Sequence, residues 1–324
     1  MTSYREAGVD LDGADRHTES IAGIVTSTWA RQVVGNFGGF AAGVRIPEGM
    51  TDPVLMMSTD GVGTKLDIAR RLGRWEGVGF DLVAMCVDDL AAAGARPIGL
   101  VDYLAVGSLQ ADRDRTIVES IAAACSATGC PLLGGETAEH PGVMTADTVD
   151  LAGAALGVVE GSAVLGPGRV EPGDVVVGLV SPNLRSNGFS LIRRVLGGEL
   201  DAHADLLLAP SVVYAPTVLA AVATDGVHAA AHITGGGLAA NLSRSLPEGL
   251  GAEINTSTWD RPRVFEIIAG RGVAEEEMRR TFNLGIGFCM VVSDEKVDAV
   301  LRAAEEHAPR VIGRILPGSG VTLV

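Results

Sequence analysis

Residues 53–65 read PVLMMSTDGVGTK, and this stretch gives the first indication of the fold class. Its first five residues are apolar, as in a buried strand, and Ser58 to Lys65 then bring a carboxylate, two glycines, hydroxyl groups and a lysine. A buried strand that runs into a glycine-rich turn is typical of α/β proteins. Asp60 can hold a hard cation such as Mg²⁺, the glycines let a ligand approach the backbone, and Lys65 offers a positive charge to phosphate.

The octapeptide at residues 58–65 also fits an ordinary tight turn whose lysine is solvated. It matches neither the phosphate-loop pattern nor the dinucleotide-binding fingerprint. A functional interpretation therefore depends on other residues that would complete a site.

The length and composition predict two α/β domains. A chain of 324 residues exceeds the size at which a single core usually stops growing. The high glycine content, 43 residues, and the aromatic content of 4% indicate close backbone packing and many loops. Turn-forming residues crowd at 161–174, which places the expected boundary there and gives domains at 1–166 and 167–324.

The charge balance argues against several classes of partner. A formal net charge of −15 repels nucleic acid and anionic membrane surfaces, so an anionic substrate needs a local positive site. We find neither an apolar span of 18 residues nor a signal-peptide pattern, and expect a cytoplasmic protein. The four cysteines lack metal-binding spacing, so we expect buried thiols with neither a disulfide nor a zinc site.

Carboxylates and glycines recur along the first half of the chain. Residues 79–95 have the apolar spacing of a buried helix, yet Asp81 and Asp88 interrupt it two helical turns apart. Buried carboxylates need a partner, which favours either a cation site or a salt bridge. The glycine-dense segment 35–43 fits either a phosphate-covering loop or a flexible turn. The segment 134–142, GGETAEHPG, repeats the order of a strand, glycines and carboxylates.

The second half carries two further glycine motifs. Ser186, Asn187 and Gly188 stand at a predicted helix start, where they serve either as caps or as a phosphate cradle. Residues 227–238 predict a strand, a triple-glycine loop and a helix. His228 and His232 would share one face of that strand, which is more typical of hydrogen-bonded structure than of a zinc site.

Eight motifs in this order resemble the phosphoribosylformylglycinamidine cyclo-ligase family, and the resemblance runs nearly end to end. The motifs are SYREAGVD (3–10), GGFA (38–41), TDGVGTK (59–65), DLVAMCVDDL (81–90), GGETAEHPG (134–142), SNGFSL (186–191), HITGGG (232–237) and RTFNLGIG (280–287). The resemblance implies an AIR synthetase-like fold with mixed sheets and a homodimer formed through the amino-terminal sheet. It also implies ATP, Mg²⁺ and the closure of formylglycinamidine ribonucleotide to aminoimidazole ribonucleotide in purine biosynthesis.

The same resemblance implies roles for individual residues. Those expected at ATP are Gly38, Gly39, Phe40, Asp60, Gly61, Gly63, Thr64, Lys65, Asp81 and Asp88. The expected Mg²⁺ ligands are Asp60, Asp88 and Glu136. The expected substrate-binding residues are Ser186, Asn187, Gly188, Thr234, Gly235, Gly236 and Gly237. The expected catalytic residues are Lys65, Glu139, Arg185, Asn187 and His232.

Arg185 departs from the family pattern, which commonly has histidine at this position. A histidine can move a proton near neutral pH, whereas an arginine stays charged and only donates hydrogen bonds. Either the histidine is not essential, or Arg185 has an electrostatic role such as phosphate binding. His228, His232 or Glu139 would then handle the proton, and we expect Arg185→His to preserve turnover.

Three other functions share some of these features. Selenophosphate synthetase normally has a reactive cysteine or selenocysteine before its glycine loop, and the first 85 residues here contain no cysteine. Thiamine monophosphate kinase lacks the opening motif and the GGETAEHPG spelling. A non-catalytic nucleotide-binding scaffold would have no need for Asp60, Lys65, Asp88 and Glu136 together beside glycine loops.

Overall fold

The computed structural model describes residues 10–324, so most of the SYREAGVD motif lies outside the described residues. In the amino-terminal half, the described strands are β1 (Val33–Val34), β2 (Gly43–Val44), β3 (Pro53–Gly61), β4 (Arg96–Val106), β5 (Leu132–Glu139) and β6 (Val149–Glu160). The helices of this half are α1 (Leu11–Thr26), α2 (Lys65–Leu72), α3 (Val78–Ala92) and α4 (Ala111–Thr128). Strands β3, β6, β4 and β5 form one sheet in that order, in which only β4 and β5 are parallel neighbours.

The carboxy-terminal half is built on a six-stranded sheet. Its strands are β7 (Val175–Val180), β8 (Val227–His232), β9 (Leu250–Ile254), β10 (Ile286–Val292), β11 (Arg310–Pro317) and β12 (Gly320–Leu323). They lie in the order β12-β9-β11-β7-β10-β8, and only β12 and β9 are parallel. The helices are α5 (Phe189–Leu196), α6 (Ala204–Leu207), α7 (Ala215–Val222), α8 (Gly237–Ser243), α9 (Arg263–Ala269), α10 (Glu275–Thr281) and α11 (Val297–Ala303).

Helix α3 joins the two halves. It packs against β3, β4, β6 and α4 on one side and against α7 and β8 of the other half. A helix covered on all sides is apolar all round, which explains why the sequence of α3 is nearly continuous in Leu, Val, Ala, Met and Cys. Asp89 is the one exposed residue of α3. One hydrophobic core therefore runs from the first sheet through α3 into the second half.

Glycines in the left-handed conformation flank α2, the helix that follows the PVLMMSTDGVGTK stretch. Strand β3 continues through Gly61, four residues beyond the apolar run, because Ser58 to Gly61 pair with Ala152 to Ala155 of β6. Gly63 follows with a φ of +69°, which L-residues with side chains rarely adopt, and α2 begins at Lys65. Helix α2 then ends at Gly73, also left-handed, as helices commonly do.

Several predicted elements needed correction. The strand expected at Cys130 to Leu133 instead runs over Leu132–Glu139, because parallel pairing with β4 outweighs the low strand propensity of its two glycines. The apolar spacing over 295–307 predicts one amphipathic helix, which is limited to Val297–Ala303 between two short 3₁₀ turns. The end of the chain reads as one strand over 311–324, but it is divided after Pro317, and β12 pairs with β9 rather than extending β11.

Other expectations concern the whole chain. The four cysteines are buried free thiols, as predicted. Among residues 10–324, no helix is long and apolar enough to cross a membrane. The segment between β6 and β7 contains the expected boundary after residue 166, and the division into domains at that point stays a proposal.

Candidate functional site

A cleft between the two halves brings the TDGVGT segment opposite the SNG segment. Thr64 Oγ1 lies 3.1 Å from Ser190 Oγ, and Ser186 Oγ donates to the carbonyl oxygen of Val62 at 3.1 Å. Asp60, Gly63 and Thr64 are exposed on the amino-terminal wall. The end of β3 and the start of α5 therefore meet at the interface of the two halves, as expected for residues that act on one ligand.

The triple-glycine loop completes the carboxy-terminal wall beside Asn187. The Oδ1 of Asn187 lies 3.6 Å from the position that a Cβ would occupy at Gly235, so these two residues are neighbours. Gly237 is confined by packing, because a Cβ there would lie 1.9 Å from the carbonyl oxygen of Arg279. Asn241 holds the loop by donating to the carbonyl oxygens of Gly235 and Gly237. The loop is thus fixed in place by close packing at Gly237 and by the side chain of Asn241.

Asp89 and His232 form a hydrogen-bonded pair at the same interface. The Nδ1 of His232 lies 2.8 Å from Asp89 Oδ1, and Ser58 Oγ donates to Asp89 Oδ2 at 3.2 Å. The side chain of His232 is buried and its Nε2 atom has no hydrogen-bond partner among the described residues. Together with Arg244, these residues line a cavity of about 390 Å³.

The carboxylates at this interface differ in electrostatic setting. Burial, aided by the nearby charge of Asp89, raises the pKa of Asp60. Burial also acts to raise the pKa of Asp89, but hydrogen bonds from His232 and Ser58 and the charge of His232 outweigh it and hold that pKa below its usual value. Asp89 therefore stays ionised, whereas Asp60 gains from any cation that approaches it.

Lys65 is buried in an ion pair and is not exposed to the cleft. Its Nζ lies 2.8 Å from both carboxylate oxygens of Asp81 and also donates to the carbonyl oxygens of Arg185 and Ala209. Asp81 is fully buried and accepts a further bond from the backbone of Ser211. All three donors of the ammonium group are occupied. This arrangement therefore argues against the predicted contact of Lys65 and Asp81 with ATP.

Arg185 and Asp88 form a second buried ion pair. Arg185 Nη2 donates to Asp88 Oδ2 at 2.6 Å, and neither side chain is exposed. The other oxygen of Asp88 accepts from the backbone N–H groups of Tyr214 and Ala215 at the start of α7. Arg185 has a φ of +59°, which is uncommon for a residue with a side chain, so tertiary contacts hold its backbone there.

These pairs correct two expectations from the sequence. Asp88 was expected to hold Mg²⁺, but its oxygens are occupied by Arg185 and the start of α7, which leaves no free ligand position. Arg185 was considered for phosphate, but its guanidinium is enclosed between Asp88, backbone carbonyls and the ring of Tyr214. The neighbouring Asp89, which the sequence argument did not select, is the carboxylate of α3 that reaches the cleft.

A separate cavity in the amino-terminal half holds the other predicted ATP residues. Gly38, Gly39, Phe40 and Glu136 line a space of about 550 Å³ between α1, the 36–42 loop and β5. Phe40 is fully exposed at the tip of this loop. The structure therefore distributes the predicted ATP and metal residues between this cavity, the interdomain cleft and the two buried ion pairs.

The remaining candidates for proton transfer are held in hydrogen bonds. Glu139 accepts from the backbone N–H of Leu109 at 2.8 Å, and His228 Nδ1 lies 2.8 Å from Asp174. Across the described residues, no group of three or more His, Cys, Asp or Glu side chains is arranged to hold a metal ion. Asp60 and Glu136, expected as joint ligands, belong to the cleft and the 550 Å³ cavity respectively.

Sequence reasoning missed two residues whose position is informative. The adjacent carboxylates Asp88 and Asp89 could not be separated by spacing, because the rotation of α3 about its axis depends on packing. Asp102 lies in Pro97 to Ala105, a run that predicts a strand, and it is a carboxylate among mostly apolar residues. An acid in such a run is a signal that could have marked it.

The two sheets and the cleft between them define an AIR synthase-like protein. The model for the AIR synthase related protein, N-terminal domain, matches residues 39–159, and the model for the C-terminal domain matches residues 171–324. Among curated relatives, the phosphoribosylformylglycinamidine cyclo-ligase of Sorangium cellulosum is 46% identical over 94% of this chain and 93% of its own. That of Pseudothermotoga lettingae is 43% identical over 98% and 97%. The chain belongs to the phosphoribosylformylglycinamidine cyclo-ligase family, which confirms the predicted resemblance.

Solved structures agree with the fold. A thiamine-monophosphate kinase from Stenotrophomonas maltophilia superposes with a TM-score of 0.65, with 21% identity, over 95% of this chain and 94% of that chain. A hydrogenase maturation protein, HypE, in complex with ATP superposes with a TM-score of 0.67, with 18% identity, over 96% and 88%. At these identities the likeness supports the mixed α/β, AIR synthase-like fold that was predicted, and the predicted dimer stays a prediction.

Proposed function

We infer that the protein closes formylglycinamidine ribonucleotide to 5-aminoimidazole ribonucleotide, with conversion of ATP to ADP and phosphate. The observation that carries this inference is the meeting of the TDGVGT segment with the SNG and triple-glycine segments across one cleft. A cleft walled by glycine turns, hydroxyl groups and carboxylates suits a phosphorylated substrate and a nucleotide. Family membership supplies the particular substrate.

The chemistry needs positioning more than a strong nucleophile on the protein. The formyl amide oxygen takes the γ-phosphoryl group of ATP, the bond to ADP breaks, and an imidate phosphate forms. The amidine nitrogen then attacks the imidate carbon, inorganic phosphate leaves with the former amide oxygen, and loss of a proton completes the ring. Fixed donors such as Asn187 and the backbone N–H groups of Gly235 and Gly236 would orient the phosphates and the reacting amide.

Asp60 and Asp89 are the residues that fit a Mg²⁺ ion carried by the nucleotide. Both carboxylates reach the interface, and the burial that raises the pKa of Asp60 makes a nearby cation favourable. Mg²⁺ in phosphoryl-transfer sites is commonly held by one or two carboxylates together with phosphate oxygens, so a complete protein cage is not required. When bound, the ion would neutralise charge on the transferring phosphoryl group.

His232 is the residue that we propose for the proton released on ring closure. Asp89 fixes its Nδ1, and its buried Nε2 has no hydrogen-bond partner among the described residues and lies 3.9 Å from Asp88 Oδ2. An imidazole oriented by a carboxylate can accept a proton near neutral pH. Glu139 is less suited, because one of its oxygens already accepts from the backbone of Leu109.

Homodimer formation through the amino-terminal sheet is part of this proposal. Large apolar side chains on the face of the sheet opposite α3 are exposed, namely Leu55 at 50%, Met57 at 75%, Val101 at 41% and Tyr103 at 43%. An exposed apolar face of this kind is typical of an interaction surface. A second copy of the chain, offering the same face, would cover it symmetrically. We also propose a cytoplasmic location, where a soluble purine-forming enzyme would meet its substrate.

The test is a direct assay of the purified protein with formylglycinamidine ribonucleotide, ATP and Mg²⁺. We expect aminoimidazole ribonucleotide and ADP to appear together in equal amounts, and neither to form when the ribonucleotide is omitted. A folded protein that forms neither product would contradict the proposed function.

A further inference from the structure

Asp102 lies on β4 of the amino-terminal sheet, and the proposed reaction gives it no role. Its neighbours across the sheet are Gly153 on β6 and Gly135 on β5, so neither adjacent strand places a side chain beside it. A Cβ added at Gly135 would lie 2.3 Å from Asp102 Oδ1, which means that the carboxylate fills the space over that glycine. The carboxylate of Asp102 therefore occupies the space that a side chain at position 135 would need.

Across residues 10–324, no other residue donates a hydrogen bond or offers a counter-charge to the carboxylate of Asp102. Within the described residues, the hydrogen bond that it receives comes from its own backbone N–H. Burial raises the pKa of Asp102 to about 7. A carboxylic acid kept in an apolar strand without a counter-charge costs stability, and such groups are retained mainly where they bind something.

Asp102 also lines the 550 Å³ cavity beneath the glycine loop. Ile21 and Val25 of α1, together with Val118 and Leu133, supply apolar walls, and the 36–42 loop covers the space. Polar side chains of His17, Asn36, Glu136 and Thr137 line the same space. A cavity of this size with apolar walls and a few polar groups has the usual character of a small-molecule pocket.

The register of the sheet relates Asp102 to Asp60. Asp60, Gly153, Asp102 and Gly135 form one row across β3, β6, β4 and β5. Paired residues project from the same face, and two strand spacings place Asp60 and Asp102 about 10 Å apart. The buried side chain of Leu82 on α3 packs over Gly153, between the two carboxylates, so Asp102 serves the 550 Å³ cavity and Asp60 the cleft.

We propose that Asp102 binds the N–C–N edge of an amidine-type group in this cavity. The proposal rests on the proposed function, because two molecules of that reaction carry such an edge. In ATP this edge is a ring nitrogen and the amino group of adenine. A protonated carboxyl group donates one hydrogen bond to the ring nitrogen and accepts one from the amino group. In formylglycinamidine ribonucleotide this edge is the amidine itself. An ionised carboxylate accepts two hydrogen bonds from its cationic form.

Two substitutions distinguish the sources. Asp102→Leu removes both kinds of pairing, whereas Asp102→Asn keeps a donor and an acceptor for adenine but loses the charge needed by an amidinium. If adenine is bound, the wild type prefers ATP to inosine triphosphate by about tenfold or more, Asp102→Leu loses that preference and Asp102→Asn retains it. If the substrate amidine is bound, both variants raise its KM by about tenfold or more and leave the nucleotide preference unchanged.

Folding of the variants provides an independent measurement. Removing a partly buried carboxylate that has no counter-charge leaves Tm unchanged or raises it, so loss of binding in Asp102→Leu together with an undiminished Tm separates a binding role from a structural one. Asp112→Asn, an exposed acid on α4, is the matched control and changes neither measurement. If Asp102→Leu and Asp102→Asn both fold and keep the nucleotide preference and substrate KM within about twofold of the wild type, the inference is wrong.

If Asp102→Leu does not fold, a pH series on the wild type and on Asp102→Asn still tests the inference. The titratable groups that face Asp102 or share its cavity are Cys125 of α4, His17 of α1 and Glu136 of β5. The ratio of the affinities for ATP and inosine triphosphate cancels the titration of the phosphates that both carry. For the adenine source this ratio falls in the wild type as pH rises through about 7, since the acid loses its donated hydrogen, and stays constant in Asp102→Asn.

A constant wild-type ratio, together with an unchanged substrate KM in Asp102→Asn, overturns the inference. The proposed function and this inference fail in different ways. A folded wild type without turnover contradicts the function, whereas normal kinetics in both Asp102 variants contradict only the role of Asp102.

Discussion

Arg185 has a structural role at the interface of the two halves. The sequence placed it beside the SNG motif and left open whether it binds phosphate. In the structure it neutralises Asp88, stacks over Tyr214 and donates to backbone carbonyls, all without exposure to solvent. A charge buried so completely is tolerated only with its partner, so the two residues act as a unit.

We expect Arg185→His to lower the free energy of unfolding by about 3 kcal/mol, because it leaves the carboxylate of Asp88 buried without its partner. The folded fraction should still turn over substrate, as the sequence argument predicts. Denaturant unfolding and kinetics on the same samples measure both quantities. Adding Asp88→Asn removes the unpaired charge and should recover much of the stability. A double variant less stable than Arg185→His would contradict the pairing argument.

Asp60 differs from Asp88 because it is exposed at the cleft and free of ion pairs among the described side chains. We expect Asp60→Asn to lower turnover by about two orders of magnitude or more, since the amide cannot neutralise Mg²⁺, while Tm stays close to that of the wild type. Steady-state kinetics over a range of Mg²⁺ concentrations, with Asp112→Asn as the control, measure this effect. A strongly lowered Tm would instead assign Asp60 a structural role.

Helix α3 is the element that determines which acids are available. Its spacing was read correctly as a buried helix, and the open alternatives for its acids were a cation site or a salt bridge. Asp81 and Asp88 take the salt-bridge alternative, with Lys65 and Arg185. Asp89 lies one residue further and is therefore rotated by about 100° around the helix, which brings it to the cleft. The burial of α3 between two layers fixed this rotation.

Helix α10 offers a pH test at the level of one element. Glu275 in its first turn accepts two bonds from Arg261 and one from Arg279, and these contacts lower its pKa to about 2. A carboxylate whose folded pKa is depressed stabilises the fold above its unfolded pKa, and that stability is lost as pH falls from about 4.5 towards 2. Glu275→Gln should therefore lower Tm at pH 7, but not below the folded pKa.

Solvent exposure limits the effect of Glu275→Gln to about 1 kcal/mol at most. Thermal unfolding at several pH values measures it, with Glu276→Gln on the same helix as the matched control. Equal Tm differences at neutral and low pH would argue against ionic stabilisation by Glu275.

For the whole molecule, the open face of the amino-terminal sheet is the feature to test. A charge at the centre of a symmetric apolar interface is introduced twice, once from each copy, so we expect Met57→Asp to convert the proposed dimer to a monomer. Sedimentation or light scattering measures the mass. Val143→Asp, which alters an equally exposed side chain on a loop, should leave the dimer intact. A wild type that is monomeric at micromolar concentration would contradict the proposed dimer.

The order of motifs along the chain was sufficient for the family, the mixed α/β class and most element positions, because apolar periodicity and glycine turns are local properties that survive without tertiary context. The strand at Leu132–Glu139 could not be read in this way, since its glycines are acceptable only where β4 supplies a pairing partner and Asp102 fills the space over Gly135. Local propensity therefore failed where a cross-strand neighbour determined the conformation.

The PVLMMSTDGVGTK stretch was correctly read as a strand that enters a turn, because that follows from its apolar run and its two glycines. The environments of its charged side chains could not be predicted from the sequence. Asp60 is exposed at the cleft, but Lys65, five residues later, is enclosed with Asp81. Whether an ionic group meets ligand, solvent or a buried counter-charge depends on what packs over it, and here helix α3 and the carboxy-terminal half supply that cover.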